Sequence, residues 1–166
     1  MLQRRGLIAG AIAGTLAGCG FKLRGVPELA FSSLYVAVAE SSALGNELKR
    51  NLVSLGSLQL ITNPAQQASA QVVLDILLDQ REKTVVGVNA SGQVREFQLR
   101  VRLRYRLRTP QGRELIPSTE LLLQRDISFN ESAVLAKEAE EGLLYRDMQS
   151  DIVQQLIRRL AALRSL

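Results

Sequence analysis

Two features of this chain carry reactive or ion-binding chemistry, and they lie far apart. The first is Cys19, the only cysteine, which closes the run Leu16-Ala17-Gly18-Cys19. A lone thiol forms no disulfide within its own chain, so its uses are as a nucleophilic attachment point or as a small buried hydrophobe. The second is a ladder of guanidinium groups, in which Arg100, Arg102, Arg104, Arg106 and Arg108 alternate with Val101, Leu103, Tyr105 and Leu107. On a strand the five share one face and can meet a row of anions, since a guanidinium fork grips phosphate or carboxylate through two hydrogen bonds. Histidine is absent, which removes histidine-based zinc sites, proteolytic triads and general bases. No catalytic residue and no metal ligand is assigned, and an enzyme is not expected. Asp75, Asp79 and Glu120 are the carboxylates that chemistry without histidine or thiol, such as glycan cleavage, would have to use, and nothing in the sequence places two of them in one pocket.

The residues around Cys19 make an export signal. Arg4 and Arg5 begin it, Leu7 to Ala17 form an apolar stretch, and Ala17-Gly18 are the small residues a signal peptidase needs. The stretch is about half of the roughly 20 residues that span a bilayer, so it reads as a signal and not a retained helix. Leu-Ala-Gly-Cys resembles the bacterial lipoprotein box, which implies removal of residues 1–18 and attachment of diacylglycerol and an N-acyl chain to Cys19. Several acyl chains, at about 0.8 kcal/mol per buried methylene, hold a protein to a membrane durably where one is marginal. No other cofactor is expected. The alternative is an ordinary signal with Cys19 as a small buried residue. Gly20 in place of an aspartate after the cysteine resembles the sorting pattern that sends lipoproteins to the outer membrane. What is left is the size of one ordinary domain and mildly basic, because only 2 of the 21 basic residues go with the signal and all 16 acidic ones stay. The expected organisation is a signal over 1–18, a lipidated tether over 19–33, and a single α+β domain over 34–166.

The elements that position the ladder follow from periodicity. Leu34 to Val38 is β-prone, and Leu44, Leu48, Leu52 and Leu55 share a helical face between a Ser41 or Ser42 cap and a Gly56 stop. Leu58 to Ile61 reads as a short edge strand and Asn63 to Ser69 as a polar loop. A long strand starts at Val72, with Leu74, Ile76 and Leu78 on one side, and runs towards Val88. Phe97 to Arg108 alternates strictly, and Leu115 to Phe129 follows after the turn Thr109-Pro110-Gln111-Gly112. For the apolar sets of these two strands to face one side, the loop must hold three or five residues. Glu114 and Glu120 then oppose either Arg106 and Arg100 or Arg108 and Arg102, which neutralises about two of the five arginines. The tail is helical from an Asn130 or Ser132 cap, with a break expected at Gly142 and an apolar stripe from Leu144 through Leu163. Together these predict a two-layer α+β sandwich, two main helices on a mostly antiparallel sheet of about four strands. The bland reading of the ladder is a solvated sheet face. Nucleic-acid binding is not expected, because Phe97 and Tyr105 fall on the core side and leave no stacking platform.

Cys19-Gly20-Phe21-Lys22-Leu23-Arg24, Leu135-Ala136-Lys137-Glu138-Ala139-Glu140-Glu141 and Tyr145-Arg146-Asp147-Met148, leading into Asp151 to Leu160, resemble the LptE family of outer-membrane lipopolysaccharide-assembly lipoproteins over the whole mature chain. The resemblance implies a Gram-negative outer-membrane lipoprotein facing the periplasm, which plugs the LptD β-barrel and helps deliver lipopolysaccharide to the outer leaflet. Aligned on Gly92-Gln93, Ala90 stands where some members carry a basic residue tied to lipopolysaccharide binding, while Lys137 keeps the lysine of Leu-Ala-Lys. Arg81, Lys83 and Arg95 are the substitutes near that hairpin tip. Arg100, Arg102 and Arg104, with Ala90 and Gly92, are the candidates for the barrel interface. A scaffold lipoprotein with no barrel partner is the alternative.

Overall fold

The strand β1 (Ser33–Ala37) buries Leu34, Tyr35 and Val36 and leads into helix α1 (Ala43–Ser54), which lays Leu44, Leu48 and Leu52 on the core. The Ser42 hydroxyl accepts the Gly45 N–H and caps the helix, and Gly56, at φ 73°, supplies the left-handed residue beyond its end. This is a computed structural model that describes residues 28–165, so the signal segment and Cys19 lie outside the described residues. Phe31 is buried in the main core, which therefore takes in part of the 19–33 stretch. After β2 (Gln59–Ile61), the stretch expected as a loop forms a 3₁₀ segment, Pro64–Ser69, capped by the Asn63 side chain. Then come β3 (Val72–Val88), β4 (Val94–Arg108), β5 (Glu114–Ser128), a 3₁₀ turn at Glu131–Ala133, and helix α2 (Val134–Ala161).

The five strands form one mixed sheet in the order β2-β1-β3-β4-β5, with β1 parallel to β2 and β3 and the long strands antiparallel. Both helices cover the same face, which makes the expected two layers with one strand more than the expected four. Leu99, Val101, Leu103, Tyr105 and Leu107 point into that layer and are at most 1% exposed. Each such side chain contributes about 1.5–3 kcal/mol of burial, and a one-residue slip of β4 would bury the arginines in their place. From α2, Met148, Ile152, Val153, Leu156, Ile157 and Leu160 meet them.

Helix α2 runs without interruption through Gly142, contrary to the expected break. The glycine costs about 1 kcal/mol in a helix interior, and the buried stripe that follows it outweighs that cost. Asn130 caps the preceding 3₁₀ turn through Ser132, while α2 itself has no side-chain cap.

Both hairpin loops hold three residues, closed by Asn89 pairing with Gln93 and by Thr109 pairing with Arg113. Gly92 and Gly112 take the left-handed position that such loops require, at φ 78° and 98°. The decisive irregularity is in β3. Ile76 pairs with Tyr105, yet the next paired residue is Leu78, opposite Arg104, so Leu77 is an extra residue that bulges out. Beyond it the faces exchange. Leu78 lies on the outer face, not with Leu74 and Ile76 as expected, while Asp79, Arg81 and Lys83 pair with Leu103, Val101 and Leu99 on the helix-covered side.

Candidate functional site

The outer face of the sheet carries the ladder, and acids fill it. Asp75, 9% exposed, accepts from Arg106 Nε and Nη2 at 3.1 and 2.8 Å and from Arg108 Nε and Nη2 at 2.7 and 3.2 Å. Burial alone raises a carboxyl's pKa, but the hydrogen bonds and charges of Arg108 and Arg106 outweigh it and hold Asp75 below its ordinary value. Glu82 meets Arg102 at 3.2 Å and Arg100 at 4.0 Å, and Glu120 meets Arg102 at 3.2 Å. Those two carboxylates, Glu120 first, raise the Arg102 pKa. Glu114 lies 3.6 Å from Arg106. Thus four of the five arginines are paired, where about two were expected. The additional acids, Asp75 and Glu82, come from β3, and the Leu77 bulge brings Glu82 to this face. Arg104 alone of the ladder makes no ion pair within 4.0 Å among the described residues.

The β4–β5 register also departs from both expected pairings. Arg108 opposes Glu114, but irregularities before Thr119 shift the strand, so that Arg104 opposes Glu120 and Arg102 opposes Leu122. Pro117, which lacks a backbone donor, sits within that irregular stretch. The carboxylates of an enzyme reading stay apart. Asp75 is locked by two arginines, Glu120 engages Arg102, and Asp79 accepts the Ser42 hydroxyl on the helix-covered side.

The basic candidates near the β3–β4 hairpin sort differently. Lys83 and Lys137 converge on one pocket of about 250 Å³ between the far end of the sheet and the first turns of α2. Phe97, Ile127, Phe129 and Val134 give it apolar walls, and Glu138 and Glu141 stand at its rim. Phe97 and Phe129 meet edge to face with centroids 5.3 Å apart. Lys83 Nζ sits 4.3 Å over the Phe97 ring and 2.6 Å from Glu141. Lys137 Nζ donates to Ser128 Oγ at 3.0 Å and to Glu140 at 2.9 Å, and so joins the end of β5 to α2. Sequence reasoning placed Phe97 and Phe129 on apolar faces of neighbouring strands but gave no sign that they wall a pocket, because Val134, Lys137, Glu138 and Glu141, which complete it, are brought there by the packing of α2.

Arg81 is outside this pocket. Its guanidinium lies 5.4 Å from the Tyr145 ring centre and donates to Gln149 at 2.5 Å. Gln149 in turn donates to Glu47 of α1, so Arg81 belongs to a strut that ties both helices to the sheet. Arg95 is exposed, and among the described residues its side chain makes a single hydrogen bond, to Gln93 at 3.4 Å. Ala90 and Gly92 occupy the exposed hairpin loop. Of the sequence candidates for lipopolysaccharide contact, the fold therefore gathers two.

Fold and site define a small α+β domain with both helices on one face of a mixed sheet, a charge-compensated outer face, and an amphipathic pocket flanked by two lysines. The chain belongs to the LptE lipopolysaccharide-assembly family, whose model matches residues 31–160. It is similar to the LPS-assembly lipoprotein LptE of Pectobacterium atrosepticum, 27% identical across 93% of this chain and 83% of that protein. The counterpart of the same name in Yersinia enterocolitica is 27% identical over 93% of this chain and 73% of its own length. Among solved structures, lipoprotein B from Nitrosomonas europaea is 35% identical with a TM-score of 0.73, covering 86% of this chain and 91% of that one. The rare lipoprotein B of Shewanella oneidensis, 20% identical with a TM-score of 0.64 over 79% of this chain and 95% of that one, shares the fold. No helix of the described residues is long and apolar enough to cross a membrane.

Proposed function

We propose that this lipopolysaccharide-assembly protein is an outer-membrane lipoprotein, tethered through acylated Cys19 on the periplasmic side. In this reading it docks into the LptD β-barrel and contacts lipopolysaccharide through Lys83 and Lys137. The observation that carries the lipid contact is the convergence of the two ammonium groups on a pocket walled by Phe97, Ile127, Phe129 and Val134. Lipid A combines phosphates with acyl chains, and this pocket offers a partner for each. The pairs that hold the lysines are partly exposed and worth little, about 0–1 kcal/mol each, so a multiply charged phosphate can displace Glu140 and Glu141. The ladder is a weaker lipid site, since acids already occupy four of its arginines. Arg100, Arg102 and Arg104 instead lie on a face that neither α1 nor α2 covers, with exposed Leu122 among them, and this mixed surface suits the polar lumen of a barrel.

The test is titration of the purified protein with lipopolysaccharide. Replacing Lys83 and Lys137 together with alanine should weaken binding about tenfold or more and flatten its salt dependence, with the circular dichroism spectrum unchanged. Arg102→Ala should leave lipid affinity intact and reduce co-purification with the barrel. Equal lipid affinity for the double variant and the parent would assign both lysines to the structural role of joining α2 to the sheet. Barrel levels unchanged on depletion of this protein would favour the scaffold reading.

A further inference from the structure

At the end of the sheet opposite the lysine pocket, the packing leaves one polar atom unanswered. Tyr105 is wholly buried, yet its hydroxyl is the buried side-chain polar atom that lacks a hydrogen-bond partner among the described residues. Such orphans are rare in folded proteins, and each calls for a physical account. Tyr105 forms part of the wall of a pocket of about 270 Å³ with Ile116, Thr119, Arg159, Ala162 and Leu163. The pocket lies where β5 departs from regular pairing, between Ile116 and Thr119, beneath the last turns of α2. Burial raises the Tyr105 pKa, and the positive charge of Arg159, which lines the same pocket, opposes that rise. Arg159 makes no ion pair within 4.0 Å among the described residues.

We propose that this pocket receives the carboxylate side chain, Asp or Glu, of a partner protein docked along the free edge of β5. Four observations single out that occupant. The phenol hydroxyl and the guanidinium are both donors, and a carboxylate oxygen accepts from both. Apart from Thr119, the remaining lining of Ile116, Ala162 and Leu163 is apolar and matches the methylene stem of such a side chain. The volume of about 270 Å³, just below the roughly 300–1,000 Å³ of pockets for whole small molecules, has room for one such side chain. Among the described residues β5 pairs only with β4, so its outward backbone groups are open to a neighbouring segment that would carry the acid in. This inference rests on the proposed docking to a barrel for its partner but uses none of the residues assigned to lipid.

The experiment uses the full lipoprotein in cells, with a photo-crosslinker at exposed Ser118 beside the pocket and a second one at Ala90 on the distant hairpin. The Ser118 probe should trap one protein through a peptide that contains Asp or Glu. Arg159→Glu, or Arg159→Gln if the first variant fails to accumulate, should cut that yield about tenfold while the Ala90 adduct persists. Tyr105→Phe should also lower the Ser118 yield, yet leave the thermal midpoint of the isolated protein equal or higher, because it removes an unpaired buried hydroxyl. A trapped peptide without an acid, a yield insensitive to Arg159, or a Ser118 probe that captures only lipid would overturn the proposal. So would a Tyr105→Phe variant that melts several degrees lower, since the hydroxyl would then have its partner inside the fold. An Ala90 adduct without one at Ser118 sinks this inference and spares the docking reading, whereas no protein adduct at either site sinks both.

Discussion

Replacing Asp75 with asparagine tests whether the ladder is held by the acids between its arginines. The amide would keep the shape of the side chain but remove the charge that Arg106 and Arg108 share, leaving two guanidinium groups side by side on the outer face with Glu114 as the nearest acid, 3.6 Å from Arg106. A hydrogen bond to a charged group is worth about 1.5–3 kcal/mol. Asp75 accepts four, but the Arg106 side chain is 35% exposed and water recovers part of that loss. The net cost is therefore about 2–3 kcal/mol, which at roughly 3–4 °C per kcal/mol for a domain of this size lowers the midpoint by about 6–12 °C. The sign of the pH dependence follows from the depressed carboxyl. Stabilisation by Asp75 is complete above its ordinary value of 3.8 and is lost as pH falls through the lower folded value. Thermal melts followed by circular dichroism should therefore show the full gap between parent and variant at neutral pH, closing as the pH falls below 3.8 and through the depressed folded value. A variant as stable as the parent at neutral pH, or a gap that persists unchanged in acid, would refute the claim that this carboxylate anchors the ladder.

Gly142→Ala should stabilise the domain by up to about 1 kcal/mol. Beyond the neighbouring backbone of the helix itself, no atom lies within 4 Å of the added Cβ, and the helix runs through the position, so a lower midpoint in the same melts would point to a break there. Cys19→Ala should yield a chain that is uncleaved or missorted, while the domain from Gly20 onward still folds. Mass spectrometry of the native N-terminus is the check, and a free thiol on Cys19 would remove the lipid anchor.

Much of this protein is written locally. The strict alternation of Phe97 to Arg108 determines a strand with a core face and an arginine face, because the pleat has a period of two and burying the guanidinium side is prohibitive. The Leu44 to Leu55 spacing, a cap at Ser41 or Ser42 and Gly56 mark out α1, and the matching of apolar faces narrows the β4–β5 loop to three or five residues, since each depends only on residues near in sequence. The tertiary structure decided what each face meets. Ile76-Leu77-Leu78 are all apolar, so no pattern reveals which residue is extra, yet the bulge at Leu77 chooses whether Glu82 or Lys83 faces the ladder. Asp75 reaches Arg106 and Arg108 across about thirty residues of chain, and no local period encodes that pairing. The same holds for Lys83 and Lys137, brought to one pocket from β3 and α2, and for the Tyr105 hydroxyl, which becomes an orphan only once α2 closes over it. Periodicity specifies which side of an element is buried, whereas the partner on that side is a property of the whole packed sheet.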